Sequence, residues 1–199
     1  MTDQTALSFA SKSAPADGVA VVFAEDGRKL TPTALDLDKK AKGLLSKAAD
    51  ITGFKGKKEQ TVDLIAPQGL KFARIVIVGT DKPGSYSAED WLNLGGVVRG
   101  LLSGKEAPAA HIFLETTGGE VSPGEIASFA LGAMLRGYKF KKYKSKPRKK
   151  SGAANEADDR TLKKIVIHCA DPKAVAQAFA PARAIAEGVT LARDLVNEP

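Results

Sequence analysis

Residues 73–79 read ARIVIVG, a nearly continuous run of apolar, mostly β-branched residues that ends at a glycine. Such a run is typical of a strand that is buried on both faces of a sheet. Related runs occupy 19–24, 61–65, 110–115 and 164–169, and turn-forming residues follow most of them. The sequence therefore predicts five strands, several of them covered on both sides.

Helical periodicity fills the intervals between these strands. Apolar residues recur at helical spacing in 34–49, in 88–103 and after Ser122. A short helix is predicted after Pro172, and Pro181 is expected to interrupt it and to begin the last helix. Strands that alternate with helices favour an α/β layered fold with a largely parallel or mixed sheet.

The last helix has an apolar stripe. Its members are Ala182, Ile185, Ala186, Val189, Ala192 and Val196. Their helical spacing predicts that they share one face.

Two helix starts carry a capping signal. Ser122 is followed by Pro123 and, three residues on, by Glu125. The serine can accept a bond from a backbone N–H group while the glutamate returns one. Ser87 with Asp90 forms a similar pattern. The sequence thus predicts that helices begin at these two serines.

Composition narrows the class of protein. The 199 residues are 43% hydrophobic and carry a net charge of +7, so a core can be buried and acidic partners are compatible with the charge. The chain has no apolar run of about 18 residues, and its polar N-terminus does not resemble a secretory signal. The single cysteine, Cys169, excludes an internal disulfide. These features predict a cytoplasmic protein that does not cross a membrane.

Residues that could carry catalysis are scarce. The two histidines, His111 and His168, both fall in predicted strands, and no zinc-protease, Cys-x-x-Cys or serine-hydrolase motif occurs. Neighbouring His168 and Cys169 should point to opposite faces of a strand, one in the core and one at the surface. Thr116–Gly119 precede a helix, but the acidic residues that follow would repel a phosphate. We therefore expect no catalytic residue and no metal ligand in this chain.

The strongest local feature is basic. Eight of the twelve residues from Lys139 to Lys150 are Lys or Arg, with Phe140 and Tyr143 between them. Basic side chains can neutralise phosphates and aromatic rings can stack on bases. The candidate nucleic-acid contacts are Lys139, Lys141, Lys142, Lys144, Lys146, Arg148, Lys149 and Lys150. The alternative is a solvated loop within 139–160 whose aromatic residues anchor its base to the core.

Two segments resemble a known family. Arg136, Tyr138, Phe140, Tyr143 and Lys144 follow the pattern Arg-x-Tyr-x-Phe-x-x-Tyr-Lys, which resembles the helix exit of the leucyl aminopeptidases, also called cytosol aminopeptidases. Residues 186–199 are similar to the linker helix of the same family. The matching positions there are Arg193, Asp194, Asn197 and Pro199.

The resemblance covers essentially the whole chain and implies an architecture. Residues 1–170 would form a macrodomain-like α/β domain, a mixed sheet flanked by helices. Residues 171–199 would form a linker segment and helix that lead to a catalytic domain absent from this chain. Members of the family are homohexamers that remove N-terminal residues from peptides with two divalent metals, zinc or manganese, bound in the C-terminal domain.

The expected role is consequently structural. The chain by itself should be inactive, and it should contribute to subunit contacts and to active-site access in the parent enzyme. Two alternatives remain open: nucleic-acid binding through 139–150, and binding of a small ligand such as ADP-ribose.

Overall fold

The computed structural model describes residues 5–12, 17–102, 108–138, 140 and 162–198. The described residues form a mixed seven-stranded sheet flanked by helices. The strands are β1 (Ala6–Ala10), β2 (Val19–Glu25), β3 (Lys29–Leu30), β4 (Thr61–Ile65), β5 (Arg74–Asp81), β6 (Ala109–Phe113) and β7 (Lys164–His168). The helices are α1 (Pro32–Lys40), α2 (Leu44–Ile51), α3 (Ala88–Leu101), α4 (Pro123–Gly137) and α5 (Pro172–Asn197), with a 3₁₀ turn at Pro83–Ser85.

The strand order is β1-β7-β6-β2-β5-β4, with β3 paired to the end of β2. The first five strands in this order are parallel, whereas β4 runs antiparallel to β5 and β3 antiparallel to β2. The expectation of an α/β fold with a mixed sheet and flanking helices is confirmed.

Alternate residues of β2 divide the core into two layers. Val19, Val21 and Phe23 face the layer built by α3, α4 and α5. Ala20 and Val22 face the layer built by α1 and α2. All five are buried, because successive strand side chains point to opposite faces and both faces are covered.

The edge strand β1 is absent from the sequence-based prediction. It pairs with β7 in parallel, and its Leu7 and Phe9 pack against the α3–α5 layer. Phe9 meets Phe179 of α5 edge to face, with ring centroids 5.4 Å apart. The alternation of ALSFA was a strand signal, but polar residues surround it on both sides.

The predicted single helix over 34–49 was wrong. The chain forms α1 and α2 instead, because Lys42 (φ 55°) and Gly43 (φ 82°) take left-handed conformations between them. Asp38 then caps the second helix, since its Oδ1 accepts bonds from the backbone N–H groups of Leu45 (2.8 Å) and Ser46 (3.1 Å). The Lys-Gly pair was the overlooked signal for a helix end.

The predicted helix break at Pro181 was also wrong, since α5 continues through it. An internal proline costs roughly 3 kcal/mol in a helix. Residues on both sides of the proline pack on the core, Phe179 before it and Ala186 after it. Pro181 and Gln177, one turn earlier, are exposed. The carbonyl group that loses its partner is therefore on the solvent side, and packing outweighs propensity.

The two predicted helix starts are confirmed. Ser87 with Asp90 and Ser122 with Glu125 form complete capping boxes at the starts of α3 and α4. Trp91 on α3 also donates from Nε1 to Glu125 Oε1 at 3.1 Å, which ties the two helix starts together.

Close packing of α3 against α4 depends on two glycines. A Cβ atom on Gly95 would overlap the Phe129 carbonyl oxygen, and one on Gly132 would overlap the Leu92 carbonyl oxygen. Only hydrogen fits at these positions. The helices can therefore approach backbone to backbone.

Candidate functional site

The chain exit of α4 meets the C-terminal half of α5. Tyr138, the first residue after α4, donates from its hydroxyl to Asp194 Oδ1 at 2.8 Å. Arg193 donates from Nη1 to the Leu135 carbonyl oxygen at 3.2 Å, and its guanidinium lies 5.5 Å from the centre of the Tyr138 ring. We call these four residues, Leu135, Tyr138, Arg193 and Asp194, the α4–α5 clamp.

Local backbone geometry aims the tyrosine at α5. Helix α4 ends at Gly137, and Tyr138 is extended at φ −59° and ψ 130°, so its side chain leaves the helix. Partial burial, and then the bond to Asp194, raise the pKa of Tyr138. The phenol therefore stays a neutral hydrogen-bond donor, which the clamp requires. Asn197 completes the last turn by donating to the Arg193 carbonyl oxygen at 2.7 Å.

A groove of about 320 Å³ opens beside the clamp. Helix α3 contributes Leu92, Asn93 and Gly96, and α4 contributes Gly132, Leu135 and Arg136. Tyr138 and Arg193 complete the lining.

The opposite face of α5 is apolar and exposed. Ile185, Leu191, Leu195 and Val196 expose between 58% and 84% of their surface. We call these four residues the outer face of α5. The predicted single stripe is therefore corrected: Ala186 is buried and Val189 half-buried, whereas Ile185, Ala192 and Val196 are exposed. The helix has apolar residues on two faces, and the described residues cover only one of them.

Two glutamate side chains lie at the edge of the sheet where the parallel strands end. Glu115, which is buried after β6, accepts a 2.5 Å bond from the backbone N–H of Thr33 in the first turn of α1 and lies 3.3 Å from Lys12 Nζ. Glu25 accepts bonds from the backbone N–H and the hydroxyl of Thr117. A phosphate would need the helix N-terminus that Glu115 occupies. This edge therefore disfavours a nucleotide ligand such as ADP-ribose.

The two histidines form a pair on the α1–α2 side of the sheet. His111 Nδ1 lies 3.0 Å from His168 Nε2, and His168 Nδ1 lies 2.9 Å from the Ser11 carbonyl oxygen. A carbonyl oxygen can only accept, so His168 donates from Nδ1 and accepts from His111. Burial, and secondarily the His168 charge, lower the pKa of His111.

The expectation that one of His168 and Cys169 would lie at the surface was wrong. Both are buried, because helices cover the Cys169 side while Ser11 and Phe113 contact the His168 side. Burial raises the pKa of the Cys169 thiol, so it stays protonated and makes a poor nucleophile.

Neither a metal centre nor a membrane span is found in the parts of the chain that the structure describes. Residues 5–12, 17–102, 108–138, 140 and 162–198 contain no group of three or more His, Cys, Asp or Glu residues placed to hold a metal ion. Over the same ranges, no helix is both long and apolar enough to cross a bilayer.

The structure brings together only part of the predicted motif. Tyr138, Arg193 and Asp194 are joined in the clamp, Asn197 lies in the last turn beside it, and Arg136 lines the groove. Phe140 is half-buried. Tyr143, Lys144 and Pro199 lie outside the described residues, as do the eight candidate nucleic-acid contacts: Lys139, Lys141, Lys142, Lys144, Lys146, Arg148, Lys149 and Lys150.

Sequence reasoning treated the two motif segments as separate signals. The residues in contact are more than fifty positions apart in the chain, and no local sequence pattern predicts that they meet. The role of Glu115 was also missed, because its partner Thr33 lies far away in sequence. A buried acid directly after an apolar strand was the available hint.

Comparison with known proteins gives one consistent result. A family model described as the cytosol aminopeptidase family, N-terminal domain, matches residues 21–147. Probable cytosol aminopeptidases of Afipia carboxidovorans and of a Chelativorans species are 39% and 38% identical over 199 residues. These matches take in 100% of this chain and 38% of each relative. The chain thus spans little more than a third of their length.

Solved structures agree at the level of the fold. A mutant of tomato leucine aminopeptidase superposes with a TM-score of 0.74 at 23% identity, covering 100% of this chain and 40% of that one. The bottromycin maturation enzyme BotP in complex with Mn gives a TM-score of 0.61 at 24% identity, covering 93% of this chain and 32% of that one.

Proposed function

This chain belongs to the cytosol aminopeptidase family and corresponds to its N-terminal domain, and we propose that it is the non-catalytic part of a leucyl aminopeptidase. The whole enzyme would release N-terminal amino acids from peptides. In it, this domain would carry the catalytic domain on α5, take part in hexamer contacts and shape access to the active sites. The name of its relatives supports a cytoplasmic location.

The observation that best supports this proposal is that α5 is packed on one side and exposes apolar residues on the other. The clamp holds its C-terminal half against α4, while Ile185, Leu191, Leu195 and Val196 remain exposed on the other side. Burying one such side chain contributes about 1.5–3 kcal/mol, and clustered exposed apolar groups typically mark an interaction surface. A rigid helix with an uncovered apolar face suits the attachment of a second domain.

Catalysis is assigned to the part of the longer protein that lies outside this chain. Hydrolysis by two metals needs several ligands converging on ions about 3.5–4 Å apart. The described residues offer no such group. Zinc or manganese would therefore be held by the catalytic domain, and no step of the reaction is assigned to residues of this chain.

The test has two parts. Sequencing beyond the codon for Pro199 should reveal a reading frame that continues into a metal-binding domain, and a stop codon there would refute the proposal. Purified chain mixed with zinc or manganese should leave leucine p-nitroanilide unhydrolysed. Turnover that persists after removal of contaminating peptidases would also contradict it.

DNA binding is a second candidate function, supported by the charge of residues 139–150. Eight basic residues in twelve could release counterions from a nucleic acid. A gel-shift assay should then show an affinity that falls steeply between about 50 and 200 mM salt. Simultaneous neutralisation of Lys141, Lys142, Arg148, Lys149 and Lys150 should abolish the shift. Unchanged binding would exclude this segment as the DNA contact.

A further inference from the structure

The groove beside the clamp presents hydrogen-bond donors and no carboxylate. Its polar lining residues are Arg136, Arg193, Asn93 and Tyr138, and the Tyr138 hydroxyl already donates its proton to Asp194. Asp194 is nearby, but it accepts the bond from Tyr138 and does not line the groove. A ligand for such a surface must supply acceptors and negative charge.

Arg136 is the group available for that ligand. Arg193 is engaged by the Leu135 carbonyl oxygen and the Tyr138 ring. Among the described residues, Arg136 makes no hydrogen bond or ion pair, and its side chain is exposed at the end of α4. A planar guanidinium group binds a carboxylate through two parallel bonds.

The remaining lining limits the size and nature of the ligand. Gly96 has no side chain to fill the space beside α4, whereas at Gly132 the Leu92 carbonyl oxygen already occupies the position of a side chain. Leu92 and Leu135 add apolar walls. A volume of about 320 Å³ holds one or two amino-acid side chains and excludes a folded strand or helix.

We propose that this groove binds the carboxylate of an acidic side chain flanked by an aliphatic residue, supplied by the catalytic domain of the longer protein. The choice of occupant rests on the proposed function. Helix α5 ends at Asn197, four residues beyond Arg193 and about 6 Å further along the helix axis, so a catalytic domain joined to this end of the chain would start close to the groove. Charge complementarity with Arg136 selects an acidic group over an amide.

Short peptides test the chemistry on the isolated chain. The probes are acetyl-Leu-Glu-amide and, as its uncharged match, acetyl-Leu-Gln-amide, followed by saturation-transfer NMR. The acidic probe should bind about tenfold more tightly, as expected for a charge-assisted bond. Arg136→Gln should abolish this preference. Arg183→Gln, which removes an exposed arginine paired with Glu187 elsewhere on α5, should preserve it. Equal binding of the two probes, or an Arg136→Gln chain that keeps the preference, would overturn the proposal.

The complete protein tests the occupant. If the catalytic domain fills the groove, the acidic probe should bind the 199-residue chain and fail to bind the complete protein. Equal binding to both would refute this occupant. A reading frame without a catalytic domain would instead refute the proposed function, while the peptide preference of the isolated chain would still stand.

Discussion

The two halves of α5 differ in what holds them. The N-terminal half packs Val175 and Phe179 into the core beside β1. In the C-terminal half the small Ala186 is buried, and Tyr138, Arg193 and Asp194 add polar contacts with the end of α4 near the surface. One half is fixed by apolar burial that needs no partner. The other buries one small side chain and is further positioned by hydrogen bonds, while its outer face stays exposed. The difference separates a folding role from an attachment role within one helix.

The largest effect is expected from Phe179→Ala. Removing a buried ring costs about 3–5 kcal/mol through lost burial and the cavity left behind, and Phe9 would lose its edge-to-face contact. Urea denaturation of the isolated chain should show this loss. Val196→Ala, at a position that is 84% exposed, should change the free energy of unfolding by less than about 0.5 kcal/mol. Equal losses at both positions would break the contrast between the halves.

A smaller loss is expected from Tyr138→Phe. The change removes one bond to Asp194 while keeping the ring, which corresponds to about 1 kcal/mol. Hydrogen exchange should increase for amides of 190–197 and stay unchanged for 175–182. A double-mutant cycle with Asp194→Asn would isolate the pair. Uniform exchange along the whole helix would show that the clamp does not act locally.

Acidification should first loosen the N-terminal half of α5 and the strand that it contacts. His111 has a lowered pKa in the fold, so between that pKa and the unfolded value near 6.5 the unfolded chain binds more protons. The contribution of His111 to the free energy of unfolding is therefore complete above about pH 6.5 and falls as the pH drops below that value. The groups acting on His111 are His168, Asp17 and Lys164.

The effect should reach β1, because His168 donates to the carbonyl oxygen of Ser11, which directly follows β1. Phe9 of β1 in turn contacts Phe179 of α5. Unfolding free energies from pH 5 to 8 should show the slope. His111→Asn should remove it. A slope that survives in the variant would assign the titration to another group.

The smallest effect on the isolated chain is expected from Leu195→Asp combined with Val196→Asp. Both side chains lie on the outer face, so stability should change by no more than about 0.5 kcal/mol. In the complete protein the same pair should weaken contact with the catalytic domain and lower the melting temperature.

The control for this pair is Ala176→Asp, which adds an acidic group elsewhere on the same helix. Ala176 is exposed and lies about 100° around the helix from Leu195, so it is off the outer face. This variant should leave the melting temperature of the complete protein unchanged. A complete protein that tolerates the Leu195 and Val196 pair equally well would refute attachment through the outer face.

Much of the fold was predictable because its signals are local. The runs at 19–24, 73–78 and 164–169 match β2, β5 and β7 closely, and both capping boxes form as expected. The errors occurred where tertiary packing competes with local preference. Lys42 and Gly43 end a helix that periodicity would continue, and Pro181 lies inside a helix that propensity would interrupt.

The candidate site was predictable only in part. The motif residues Arg136, Tyr138, Arg193 and Asp194 could be singled out from their resemblance to the family pattern. Their meeting could not, because α4 and α5 become neighbours only after β7 inserts between them in the chain and joins the sheet.

The sequence by itself determined the alternation of strands and helices, the helix starts and the family, because each depends on neighbouring residues or on a short pattern. Only the tertiary structure decided which side of α5 is buried. Ile185 and Ala186 are adjacent apolar residues, and the helical pattern places both within one broad stripe. Packing against α4 buries Ala186 and leaves Ile185 exposed, since a helix on the outer layer of a sheet can press only one face against its neighbours.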